Sequence, residues 1–282
     1  MVVLWKSNQF NLQSVIMKKS ILQGIATIVL FFATWFALMQ IDWISVFKVQ
    51  KVKDKTEEKL GDLFWEVIQK NEVENKNPFI VKSIDSIVSA LCVANDIDRD
   101  FIKVHVFTKD DVNAFAVPNG HLIIYSGLIQ SADNPEELTG VIGHEMAHIQ
   151  LNHVMKKLVK EVGLSALITM TTGNRGSEIL KETTKKLSSS AFDRNFEKEA
   201  DIQAVDYLIK ANVNPAPFAD FLYKLAQNES QASEYLTWIS THPDSKERSE
   251  YILKYSKGKA KKFKSIIAPR TWEKIIDELD KQ

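Results

Sequence analysis

The sequence predicts an α+β domain, mostly helical with a small sheet, preceded by an N-terminal transmembrane helix. Three observations carry this. Apolar residues recur at helical spacing through most of the chain, as at Ile84, Ile87, Val88 and Leu91. The stretch Ile102-Lys-Val-His-Val-Phe107 alternates instead, with the period of a strand. No charged residue falls between Ile21 and Ile41. The 282 residues allow one large domain with appendages, or two small ones. Lys plus Arg and Asp plus Glu both number 36, so no basic excess points to a nucleic-acid partner. Cys92 is the single cysteine, which excludes an internal disulfide and a cysteine-based zinc site.

Residues 1–20 read as a cytoplasmic N-terminus and 21–41 as the anchor, which as a helix spans about 30 Å, the thickness of a bilayer core. Lys18 and Lys19 precede the run and Asp42 follows it, so the remainder is expected outside the cytoplasm. A cleaved signal peptide is the alternative, since Met17-Lys-Lys resembles a natural start. No small-x-small cleavage site follows Leu38-Met-Gln-Ile41, which favours a retained anchor. Residues 42–59 form a lysine-rich connector leading into a helix with Leu60, Phe64, Val67 and Ile68 on one face. Ile80 to Val93 is a second helix, with Cys92 packing as a small apolar residue. After the strand at 102–107, Asn113–Val117 and His121–Tyr125 read as a hairpin turned at Pro118-Asn-Gly120. His105 and His121 are expected on the strand surface rather than as ligands.

The next helix has a legible start: Asp133 and Asn134 can cap, Pro135 suits the first turn, and Glu136 and Glu137 meet the positive helix end. Leu138, Ile142, Met146 and Ile149 form its buried stripe. That stripe leaves His144-Glu145-Met-Ala-His148, whose histidines are four residues apart and leave one face together. This is the H-E-x-x-H pattern, in which two imidazoles hold zinc and the glutamate takes a proton from metal-bound water. The bland alternative is a solvated helix face. The apolar stripe, with Gly143 and Ala147 keeping the surroundings small, argues against it.

A third ligand is needed. Leu151 and Val154 stand where a metzincin would have glycine and histidine. His153, five residues past His148, would face the far side of a continuous helix and is expected at the helix end or surface. The better candidate is the acidic segment Asp193–Asp201. There Glu197 would ligate, Asp201 would orient a ligating histidine, and Ala200 and Ala204 would allow close packing. By itself this segment reads equally well as a solvated charged helix.

His144-Glu-Met-Ala-His148 followed by Phe196-Glu197-Lys-Glu-Ala-Asp201 resembles the zinc peptidase family of HtpX, the periplasmic protease BepA and the CAAX prenyl proteases, gluzincins with a downstream E-x-x-x-D. Asn113-Ala-Phe-Ala-Val-Pro-Asn-Gly120 and Thr241-His242-Pro243 with Arg248 match in the same order. The resemblance implies a gluzincin-like metallopeptidase domain over residues 60–256, with one zinc per chain on His144, His148 and Glu197. It also implies catalytic roles for Glu145, His242 and Arg248. His242 would be an oxyanion donor or a resting occupant of the open zinc position, and Arg248 would anchor its loop or meet substrate. A peptide substrate would add as a strand along Asn113, Ala114, Phe115 and Ala116. The implied setting is protein quality control at the bacterial cell envelope. The chain would be a single-pass membrane protein with a periplasmic catalytic domain, or a secreted one if the helix is cleaved. A non-catalytic, membrane-tethered chaperone or assembly factor with the same fold is the alternative, against which the intact Glu145 speaks.

Beyond the motif, the helix is expected to run on past Asn152 to about Val162. Gly163–Met170 is apolar but too short to span a membrane. Thr171–Ser190 reads as a mobile loop or weak helix over the cleft. Further helices are expected up to Ala211, over Phe218–Ala226 and over Ser245–Tyr255, with a loop at Trp238–Pro243. Residues 257–282 form a basic segment ending in a short helix, Trp272–Leu279.

Overall fold

The computed structural model describes residues 22–36, 49–172, 177–228, 236–259 and 262–282. The expected cytoplasmic segment, both ends of the expected anchor and Asp42 lie outside these. By its contacts the chain divides into two units, Met1–Asp54 and Lys55–Gln282. In the first, α1 (Leu22–Phe36) is an apolar helix whose large side chains are 54–69 % exposed.

Helix α2 (Val49–Asn71), which lies mostly in the second unit, takes in most of the expected connector and buries Leu60, Phe64 and Ile68. Helix α3 (Pro78–Asn95) begins where the Asn77 side chain accepts from the Phe79 N–H at 3.0 Å. It is long and apolar enough to cross a membrane, but Ile80, Ile84, Ile87, Val88, Leu91 and Cys92 are fully buried, so it is a core helix.

The sheet contains β1 (Lys103–Phe107), β2 (Ala114–Val117) and β3 (His121–Tyr125) in the order β1-β3-β2. β1 runs parallel to β3, and β2 is antiparallel to it, with Phe115 opposite Ile123. Asn119 and Gly120 both have positive φ at the hairpin turn, and a Cβ on Gly120 would lie 2.0 Å from the Phe101 carbonyl oxygen, so glycine is required there. β2 and β3 are buried throughout. For this reason His121 is not the surface residue expected. Its Nδ1 lies 2.9 Å from His105 Nε2, and both rings stack with Trp65.

Helix α4 (Ser126–Ser131) leads to α5 (Pro135–Gln150), which carries the motif. Asn134 accepts from the Glu137 N–H at 3.0 Å while the Glu137 carboxylate accepts from the Asp133 N–H at 2.9 Å, a reciprocal cap. Around α5 pack β2, α9 (Arg194–Lys210) and α10 (Ala216–Asn228). Ala204 of α9 lies against Gly143, and Phe218 of α10 fills the space over Gly140.

The motif helix does not run on past Asn152 as expected: Asn152, at φ 58°, ends it, and a separate helix α6 (His153–Val162) reaches the expected end. Helix α7 (Leu164–Thr172) follows, and α8 (Ser177–Leu187) is the helical alternative expected over much of Thr171–Ser190. The expected loop at Trp238–Pro243 is largely α11 (Leu236–Thr241), and the His242 N–H still bonds back to the Trp238 carbonyl at 2.8 Å. Helix α12 (Ser245–Ser256) carries Arg248. Helix α13 (Pro269–Leu279) packs on the core through Trp272, Ile275 and Leu279.

Candidate active site

Helix α5 presents His144 and His148 one turn apart, with their Nε2 atoms 3.0 Å from each other. Helix α9 brings Glu197 to them: its carboxylate oxygens lie 3.3 Å from His148 Nε2 and 3.6 Å from His144 Nε2. From the end of α11, His242 places its Nδ1 3.3 Å from His144 Nε2 and 3.1 Å from both Glu197 oxygens. These four groups each offer a donor atom, all within 4.8 Å of one another. A tetrahedral zinc site with bonds of about 2.0–2.1 Å has donors roughly 3.3 Å apart. The observed separations bracket that spacing, and the donor set of imidazoles and one carboxylate suits zinc.

Glu145 sits beside this cluster. Its Oε2 accepts from the Ala116 N–H at 3.1 Å, and its Oε1 has no hydrogen bond and lies 3.4 Å from His242 Nε2. That Ala116 can reach it follows from strand alternation. The Tyr125 N–H bonds the Asn113 carbonyl, so the main-chain groups of Ala114 and Ala116 point away from β3 to the free edge.

Behind the cluster, Asp201 accepts at 2.8 Å from His144 Nδ1 and at 2.8 Å from both Nε and Nη2 of Arg248. The Tyr251 hydroxyl also donates to it. The remaining Arg248 nitrogen lies 2.6 Å from Glu197. Arg248 therefore ties the two carboxylates of α9 together.

All of this is dry: His144, Glu145, His148, Asp201 and His242 are 0 % exposed. Burial, with the Glu197 charge adding to it, pushes the Glu145 carboxyl well above the usual range. Burial acts the same way on Glu197, but the neighbouring His242 and Arg248 outweigh it and hold that carboxyl well below. Asp201 likewise falls to about 2, because Arg248 and His144 overcome burial. Burial lowers His148 and His242 to about 4, so both imidazoles are neutral and available as ligands.

The cleft is covered by Ser188–Phe192. Phe192 stacks on the His148 ring at 4.0 Å, the Asn113 amide reaches the Ser188 carbonyl, and Lys157 donates to the Ser190 carbonyl. Asn113, Ala114, Phe115 and Ala116, the expected substrate strand, are buried beneath it.

His153, like His121, is not at the surface position expected. It is fully buried and touches His148, because the chain breaks at Asn152 and the far-side argument holds only for a continuous helix. The two polar residues Gln150 and Asn152 ahead of it were the available signal.

The model of peptidase family M48 matches residues 81–256. Metalloprotease LoiP of Escherichia coli strain K12 is 32% identical over 194 residues, covering 66% of this chain and 75% of that protein. Metalloendopeptidase OMA1, mitochondrial, of Bos taurus is 29% identical over 163 residues, covering 53% of this chain and 31% of that protein. A beta-barrel assembly-enhancing protease of Yersinia pestis is 25% identical over 196 residues, 65% of this chain and 40% of that protein. The H-E-x-x-H helix, the acidic helix behind it and these matches together make the chain a member of peptidase family M48, a metalloendopeptidase.

Proposed function

We propose that the chain is a zinc endopeptidase of the bacterial cell envelope, acting on protein substrates in quality control. The observation that carries the zinc assignment is the near-tetrahedral spacing of donors around one buried point, with a hydrogen-bond-free carboxylate oxygen of Glu145 beside it. His144, His148 and Glu197 hold the metal. His242 Nδ1, 3.3 Å from His144 Nε2 and 3.1 Å from both Glu197 oxygens, would be a further donor to the metal when no substrate is bound. When bound, zinc polarises the scissile carbonyl and brings the acidity of water toward neutrality.

Glu145 takes the proton of the attacking water and passes it to the leaving amine. The Ala116 N–H keeps the carboxylate aimed. Once displaced, His242 donates from a ring nitrogen to the oxyanion. Arg248 holds Asp201 and Glu197 in place and thereby His144. Withdrawal of Ser188–Phe192 opens the edge of β2, where an extended peptide adds along Asn113–Ala116.

The envelope setting is supported by α1, whose exposed apolar side chains suit a membrane anchor, by Lys18 and Lys19 ahead of it, which favour a catalytic unit on the periplasmic side, and by the name of the beta-barrel assembly-enhancing relative. Casein digestion by the purified chain, with and without a chelator, tests the assignment. Chelator-sensitive cleavage restored by zinc is expected. Absence of cleavage with zinc bound would favour a chaperone or assembly factor.

A further inference from the structure

The left-handed turn at Asn152 carries His153 back under the motif helix, where it lies between a ligand and the protein surface. Its Nδ1 is 3.0 Å from Nδ1 of His148, and its Nε2 is 3.1 Å from the Glu199 carboxylate. Its ring is stacked on Phe196 at 4.5 Å with an interplanar angle of 12°, which leaves it little freedom to rotate. Glu199 is on α9, the helix that supplies Glu197, and its side chain is 56 % exposed.

We propose that His153 and Glu199 form an orienting chain that fixes His148 with its proton on Nδ1 and its Nε2 lone pair turned to the metal. The polarity follows from hydrogen-bond chemistry. An ionised carboxylate only accepts, so His153, as a neutral imidazole, carries its proton on Nε2 and donates to Glu199. Its Nδ1 is then an acceptor, and the 3.0 Å contact requires His148 to donate from Nδ1. That leaves His148 Nε2 unprotonated, facing His144 Nε2 and Glu197. A carboxylate near the surface thus sets the tautomer of a buried ligand through an intermediate ring. His153 and Glu199 are positioning residues and touch neither metal nor substrate.

The inference rests on the reading of His148 as a metal ligand, and the test separates the two. Zinc affinity is measured by chelator competition on the full chain for the parent, His148→Ala, His153→Phe, Glu199→Ala and Glu199→Gln, together with the absorption spectrum of each cobalt(II)-loaded form. His153→Phe keeps the ring stack but cannot accept the hydrogen bond from His148, and it is expected to weaken zinc binding by about 10- to 100-fold and to alter the cobalt spectrum. Glu199→Ala should weaken it by a smaller factor, while Glu199→Gln, which retains an accepting oxygen, should stay near the parent. Because Glu199 is largely exposed, its variants test the chain even if His153→Phe folds poorly. Parent-like affinity and spectra in both His153→Phe and Glu199→Ala, with His148→Ala depleted of zinc, overturn this inference alone. Parent-like zinc in His148→Ala overturns the ligand assignment and the orienting chain with it.

Discussion

His144 and His148 leave the same helix one turn apart, yet they are held from behind in opposite ways. His144 donates to Asp201, a fully buried carboxylate kept ionised by a two-pronged Arg248 and a tyrosine hydroxyl. Behind His148 stands a second imidazole, and the carboxylate comes only after it, near the surface at Glu199. A buried charge needs an equally buried partner, so the first support draws Arg248 and Glu197 into one interdependent cluster. A neutral ring needs no counter-charge. The second support can therefore run outward and be weakened without stranding a charge in the interior.

The largest expected effect breaks the first support. Asp201→Ala leaves the Arg248 guanidinium facing an empty place in a dry site, and the cost is about 3–5 kcal/mol of stability with loss of zinc. Urea unfolding and metal analysis check it. An unfolding midpoint equal to the parent's would mean that the cluster is not interdependent.

A pair outside the site supplies a reference for imidazoles without a metal. Burial, helped by the neighbouring His121 and Lys103 charges, lowers His105 to about 3, and burial with Lys103 lowers His121 to about 4. Their folded values lie below the ordinary 6.5. The stability they favour is therefore complete above about pH 6.5 and is lost as pH falls toward 4, with up to about two extra protons taken up on unfolding. Thermal midpoints from pH 7 to pH 4.5 should fall in the parent and fall less steeply in His105→Phe. Equal slopes would remove the pair from the account.

The smaller effects concern the placement of the motif helix, which sets both histidines together. A Cβ at Gly140 would lie 2.3 Å from Phe218 Cβ, so Gly140→Ala should cost about 1–3 kcal/mol. At Gly143, beside His144, the nearest atom would be 3.8 Å away, and alanine there should add up to about 1 kcal/mol through helix propensity with zinc binding unchanged. Calorimetry of the two variants checks the sign of each.

The same contrast explains what the sequence could reveal. Spacing within one helix is legible, so His144 with His148 and Glu197 with Asp201 were paired correctly on their faces, and the hairpin strand His121–Tyr125 and the start of α5 were placed from turn and cap chemistry. The convergence of α5, α9 and α11 rested on resemblance, since no local pattern says which helices meet. His153 was missed because a single αL residue at Asn152 reverses the chain, and periodicity assumes continuity. His121 was misplaced because β3 is covered on both faces, a fact that depends on Trp65 arriving from α2.

The central claim is that Glu145 is the proton carrier beside a zinc it does not bind. The most direct measurement is zinc content and casein turnover of Glu145→Gln on the same preparation. The account predicts one zinc per chain, as in the parent, and turnover reduced by about 10²-fold or more. Turnover at the parental rate would contradict the mechanism, and loss of zinc would make Glu145 a ligand instead.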